Sequence, residues 1–156
     1  MDQEAIDRAK KIYDEGDMEE LHEFIKPFLE KNDPYAFYFY SRSSLKNESN
    51  EEYDKRYVDS LIKAAKGNVP EAMYQLSALY FTGDTVELDV HKGKDYLDRA
   101  MELNYGFAKL SVGVNLYYGS NGYPKNIEKA VEIVTEAVQD NVEDASEVLE
   151  KIKASI

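Results

Sequence analysis

The side chains able to do chemistry are few in kind and scattered along the 156 residues. The only two histidines, His22 and His91, stand far apart. Neither belongs to a His-x-x-His or His-Glu-x-x-His spacing that would set two ligands on one helix face around a metal. Ser43–Ser44 and Ser111 lack the glycine-flanked elbow that exposes a serine nucleophile. The GSNG run beginning at Gly119 has no following lysine to hold a phosphate. Asp14–Glu15–Gly16–Asp17 is acidic but lacks the alternating ligands of a calcium loop. The chain has no cysteine, which excludes disulfides, thiolate metal sites and a cysteine nucleophile. The expectation is a non-catalytic protein with no cofactor and no metal. The enzymatic alternative is a carboxylate-based hydrolase, with two acids acting as general acid and base.

What recurs is carboxylate. Glu23, Asp59, Asp95 and Glu132 follow one another at steps of 36, 36 and 37 residues. A column of this kind is either an ordinary solvated helix face or an acidic ladder lining a groove. In the second case, charge of one sign on a concave surface selects cationic partners and speeds their association. Tyrosine is the other abundant functional residue, with 13 copies. Tyr74, Tyr80, Tyr96 and Tyr40 fit core positions. Tyr117, Tyr118 and Tyr123 flank a loop, as Tyr35 and Phe37 do, and tyrosine is a favoured interface anchor.

The period of the acids runs through the whole chain. Ala36, Ala72, Ala108 and Ala145 are spaced by 36, 36 and 37 residues. Four positions before each stands an asparagine: Asn32, Asn68, Asn104 and Asn141. Eleven positions before each comes Ile25, Leu61, Leu97 or Val134, and eight before comes Phe28, Ala64, Ala100 or Ala137. Apolar residues at spacings of three and four mark one face of a helix. Asparagine tolerates the left-handed conformation that closes a helix. The chain therefore reverses at each asparagine and begins a second helix just before each alanine, where Pro34 and Pro70 suit a first helical position. Eleven residues past the alanines, Asn47, Gly83 and Gly119 mark a second stop.

Ala5, Ala9, Tyr13 and Gly16 repeat the pattern at the start. The reading is one repeat domain over 1–156: a leading half-repeat (1–16), then units 17–48, 49–84, 85–120 and 121–156, with nine helices in all. Pro27 is expected to kink its helix, because it removes the bond to the carbonyl of Glu23. Glu147 and Lys153 stand in columns that are apolar earlier, as a terminal cap facing water requires.

At these residues the chain resembles the Sel-one-like repeat family, α/α-solenoid relatives of the tetratricopeptide repeats. The stretch SLIKAAKGNVPEAMYQLSALYFTGDTVELDVHKGKDYLDRA carries the alanine pair Ala64–Ala65, the turn at Gly67–Asn68, then Ala72, Tyr80 and Gly83. Gly113 stands at the family's mid-helix glycine, followed by Gly119 and PKNIEKAVEI. Ser41 and Ser77 replace that mid-helix glycine, Asn47 replaces a loop glycine, and Gly93 sits where alanine is usual. The resemblance implies an all-α, right-handed superhelix of stacked helix pairs that binds proteins. Family members include signalling adaptors and small cytoplasmic immunity proteins that neutralise bacterial toxins. A cysteine-rich, secreted branch has been described as acting on cell-wall-related substrates, and this cysteine-free chain departs from it.

Charge narrows the partner. Lys and Arg number 19 against 31 Asp and Glu, a net −12. That balance argues against nucleic acid, whose phosphates call for basic side chains, and against an anionic membrane surface. The acidic start MDQEAIDRAKKIYDEG is unlike a secretory signal, and no run approaches the ~20 apolar residues of a membrane helix. The expectation is a cytoplasmic interaction scaffold whose partner is a basic protein, either a toxin it neutralises or a signalling protein. Adaptor function with peptide ligands is the alternative. Partner contact is assigned to Glu23, Asp59, Asp95 and Glu132 with Tyr117, Tyr118 and Tyr123.

Overall fold

The computed structural model describes residues 1–156 and is helical throughout, with no strand. Its elements are α1 (Gln3–Glu15), α2 (Met18–Leu29), α3 (Pro34–Arg42), α4 (Asn50–Lys66), α5 (Pro70–Thr82), α6 (Val90–Glu102), α7 (Gly106–Tyr118), α8 (Ile127–Gln139) and α9 (Ala145–Ala154). The nine helices expected from the repeat are present. The chain forms two compact units, Met1–Leu76 and Ser77–Ile156, which divide within α5.

In the first unit the starts of α1, α2, α3 and α4 carry side-chain caps. The carboxylates of Asp2, Asp17 and Asp33 accept from backbone N–H groups at the first turns of α1, α2 and α3. Pro34 occupies the opening turn of α3. Ser49 and Glu52 form a reciprocal capping box on α4. Leu21, Ile25, Ala36, Leu61, Ala64 and Ala72 have no exposed surface, so three of the repeat columns converge on this core. The chain turns at Asn32, Asn47 and Asn68, with φ of 56, 64 and 62°. Close packing is also set at Gly67, where a Cβ would lie 2.1 Å from Pro34 Cγ.

Helix α2 runs unbroken through Pro27 and ends two residues later at Leu29. Pro27 thus falls in the last turn, and Glu23, whose carbonyl loses its intrahelical donor, is an exposed residue.

The second unit repeats the plan. Leu97, Ala100, Ala108, Val134, Ala137 and Ala145 are buried. Its turns stand at Gly83, Asn104, Gly119 and Asn141, with φ of 71, 65, 69 and 56°. Gly93, the departure from alanine noted in the sequence, has a steric cause: a Cβ there would meet the Phe81 ring at 2.6 Å. Lys109 is buried in α7 and ion-paired with Asp140 at 2.6 Å, tying that helix to the end of α8. In α9, Glu147 and Lys153 are exposed, in columns that elsewhere hold Tyr38, Tyr74 and Leu110, or Tyr80 and Leu116.

Candidate protein-binding surface

The first helix of each pair carries one member of the acidic column: Glu23 on α2 and Asp59 on α4 in the first unit, Asp95 on α6 and Glu132 on α8 in the second. All four are exposed. Two positions later in each helix lies a buried residue: Ile25, Leu61, Leu97 and Val134. At 100° per residue those side chains point some 200° around the helix from the acids, so the carboxylates face solvent on the side away from the core. None of the four makes an ion pair.

The loop tyrosines divide. Tyr118 is 68% exposed and meets Tyr117 edge-on at 4.8 Å. Tyr117 is half-buried, and its hydroxyl is 2.7 Å from Ser155 Oγ. Tyr123 does not belong with them: it is only 6% exposed. Its hydroxyl donates to Asp98 Oδ1 at 2.6 Å, and Lys94, itself bound to Asp98, lies 4.6 Å from its ring centre. Burial and then the bond to Asp98 push the Tyr123 phenol well above its ordinary range. Tyr123 therefore clamps its loop onto α6 and, unlike Tyr118, offers little surface to a partner.

The first unit holds two arginines that periodicity did not single out. Arg56 reaches back from α4 to Glu48, with Nε 2.6 Å from Oε1, and also donates to the carbonyls of Tyr40 and Ser43. It holds the Glu48 carboxyl below its usual range and pins the turn between α3 and α4. Its guanidinium also covers the Tyr40 ring at 4.8 Å, so Tyr40, expected in the core, is half-buried against a cation. Beside it runs an open cleft of about 300 Å³ between α3 and α4, walled by Phe37 and Tyr40 and rimmed by Lys55, Asp59 and Lys63. Asp59 of the column thus edges a cavity with an aromatic wall. Arg42, at the end of α3, binds phenols rather than acids.

His22 is half-buried, with Nε2 2.5 Å from Ser43 Oγ. Ser43 Oγ donates to the Tyr40 carbonyl, so the imidazole is the donor in the histidine contact. His91 is exposed. No group of three His, Asp or Glu side chains is placed to hold a metal ion. No helix is long and apolar enough to cross a membrane.

Helix pairs joined at left-handed asparagines and glycines, with unpaired acids on the outward side of the first helices, define a helical-repeat interaction scaffold. The sequence pattern of the Sel1 repeat matches residues 26–48, 70–105 and 107–138. With more than half of its residues in that pattern, the chain belongs to the Sel1 repeat family.

Solved structures share its fold. The Sel1 repeat protein from Oxalobacter formigenes is 19% identical with a TM-score of 0.62, over 78% of this chain and 35% of its own. A protective antigen of uropathogenic Escherichia coli that displays an SLR fold is 20% identical with a TM-score of 0.66, over 80% and 26%. Helicobacter pylori cysteine-rich protein B is 25% identical with a TM-score of 0.64, over 85% and 95%. The chain thus spans about a third and a quarter of the first two proteins. No curated protein matches the sequence.

Proposed function

We propose that the chain acts as one repeat domain that captures a basic protein, and that it serves as a cytoplasmic immunity protein neutralising a toxin. The observation that carries the reading is the set of four exposed carboxylates without ion pairs, Glu23, Asp59, Asp95 and Glu132, recurring once per repeat in a chain of net charge −12. Exposed acids at a regular spacing attract cationic surfaces, and screening by salt weakens that attraction. Tyr118, the most exposed aromatic residue of the α7 end, is available as an apolar anchor.

The test is capture from the native cell by wild-type chain and by a variant with Glu23, Asp59, Asp95 and Glu132 all changed to Lys, followed by mass spectrometry. A basic protein retained by the wild type, released by moderate salt and lost from the variant supports the reading. Helical circular dichroism confirms that the variant is folded. If that protein arrests growth and co-expression of the chain restores it, the immunity function follows. Retention of the same partner by the variant removes the acidic column from the mechanism. A partner without toxicity moves the assignment to a signalling or assembly adaptor.

A further inference from the structure

In a chain with 31 acidic side chains, one cleft of the first unit is walled without any. It encloses about 210 Å³ between Tyr13 of α1, Arg42 at the end of α3, Tyr53 and Tyr57 of α4, and Gln75 of α5. Arg42 is half-buried and takes part in none of the chain's ion pairs. Its guanidinium donates to the Tyr38 hydroxyl at 2.6 Å and the Tyr13 hydroxyl at 3.2 Å, and it covers the Tyr13 ring at 4.7 Å. A guanidinium has five N–H donors, and these two bonds leave others unused. A partly buried cation hydrogen-bonded only to phenols has no ion-pair partner within the chain.

The remaining groups face the same need. The Tyr13 oxygen accepts from Arg42 and keeps its own proton to donate. Gln75 accepts the Tyr57 hydroxyl on Oε1 at 3.4 Å, which leaves its amide hydrogens to donate. The rings of Tyr53 and Tyr57 stand stacked, 5.9 Å apart and 8° from parallel, and both line the cleft. From this geometry we infer that the cleft is a binding site for a carboxylate carried on a flat or aromatic group. A planar fork matches a carboxylate, whereas a phosphate dianion calls for more than the single cation present. The cleft is smaller than the ~300–1,000 Å³ of ordinary ligand pockets, so it takes one small acid or the last residue of a peptide. Opposing charge elsewhere on the chain is screened beyond about 8 Å at physiological salt.

The chain has no tryptophan, and three of its 13 tyrosines line the cleft, so a saturable change in tyrosine fluorescence that is lost in Arg42→Gln reports on the site. Four probes are titrated: benzoate, its neutral isostere benzamide, and the tripeptide Gly-Gly-Phe with a free and with an amidated C-terminus. Benzoate is expected to saturate in the millimolar range and benzamide not to bind. Arg42→Gln should weaken benzoate by at least about tenfold, the share of a charge-assisted bidentate contact. Gln75→Leu leaves both phenol bonds of Arg42 in place; it should weaken benzoate several-fold without moving the thermal midpoint, and it decides the matter if the Arg42 variant fails to fold. Binding of the free-acid tripeptide but not its amide assigns the site to a peptide terminus. Benzoate binding without the tripeptide assigns it to a free organic acid. No saturation by benzoate, equal binding of benzamide, or affinity indifferent to both substitutions overturns the inference.

Discussion

Gly113 of α7 faces Val134 of α8 so closely that a Cβ built on the glycine would lie 2.4 Å from Val134 Cγ2. The pair explains why a glycine stands in mid-helix, where it costs helix stability relative to alanine. The backbone of α7 must approach α8, and only the absence of a side chain allows it. Gly113→Ala should destabilise the chain by about 1–3 kcal/mol through overpacking, despite the better helix propensity of alanine. Val134→Ala combined with it should cost less than the sum of the two single changes, because the smaller residue makes room for the new methyl. Urea unfolding followed by circular dichroism measures all three, and an additive double variant would place the cause elsewhere.

Asn68 shows how the turns are held. It sits past the end of α4 with φ +62°, a conformation that costs most L-residues about 1–2 kcal/mol. Asn68→Gly should leave stability within about 0.5 kcal/mol of wild type, since glycine enters this region freely but gains entropy in the unfolded chain. Asn68→Val should cost more than about 1 kcal/mol, because a β-branched side chain fits that region worst. Thermal midpoints of the Gly variant and wild type lying close together, with the Val variant clearly below both, are the outcome to check.

These turns were legible in the sequence because they are local. Residue type alone restricts the backbone at Asn32, Asn68, Asn104 and Asn141, and all four have positive φ. The buried columns were legible for a related reason: a helix face is fixed by its own period. The binding side chains were harder to place. Tyr123 has the neighbours of a loop aromatic, yet its burial is set by Asp98 and Lys94, more than twenty residues earlier on α6. Arg42 and Arg56 belong to no repeat column. Arg56 is defined by carbonyls at the end of α3, and Arg42 by Tyr13 of α1 as well as by Tyr38 one turn back on its own helix, so only the Tyr38 contact follows from spacing within one helix. The acids of the column could be placed on exposed helix faces from the sequence, since exposure needs only the far side of the apolar stripe.

His22 makes the first unit sensitive to mild acid. Its ring packs edge-on to Tyr40 at 6.0 Å, and its pKa is held below the ordinary 6.5, first by burial and then by the Arg56 guanidinium, with Glu48 opposing. In the unfolded chain the imidazole takes a proton near pH 6.5; in the folded chain it does so only at lower pH. The unfolded state therefore binds more protons in that window. Stability from this group is full above about pH 6.5, falls as pH drops towards the folded value, and levels off beneath it. In His22→Gln, denaturation midpoints above and below pH 6.5 should lie closer together than in wild type. An unchanged pH dependence would mean that His22 does not titrate differently on folding.

At the other extreme of pH the sensitive group is Tyr123. Burial and the bond to Asp98 raise its phenol above 10, so the folded chain keeps the proton after the unfolded chain has lost it. The stability this gives is intact below about pH 10 and is lost as pH rises towards the folded value. Tyr123→Phe removes a buried donor to a carboxylate that Lys94 still neutralises, at 2.6 Å. With Asp98 about a third exposed, the loss should be about 1–2 kcal/mol at neutral pH. The variant should also lose less stability than wild type between neutral pH and pH 11, so the two denaturation midpoints converge in alkali. Convergence separates the hydrogen bond from simple packing, because a packing defect would leave the gap between the two proteins the same at every pH.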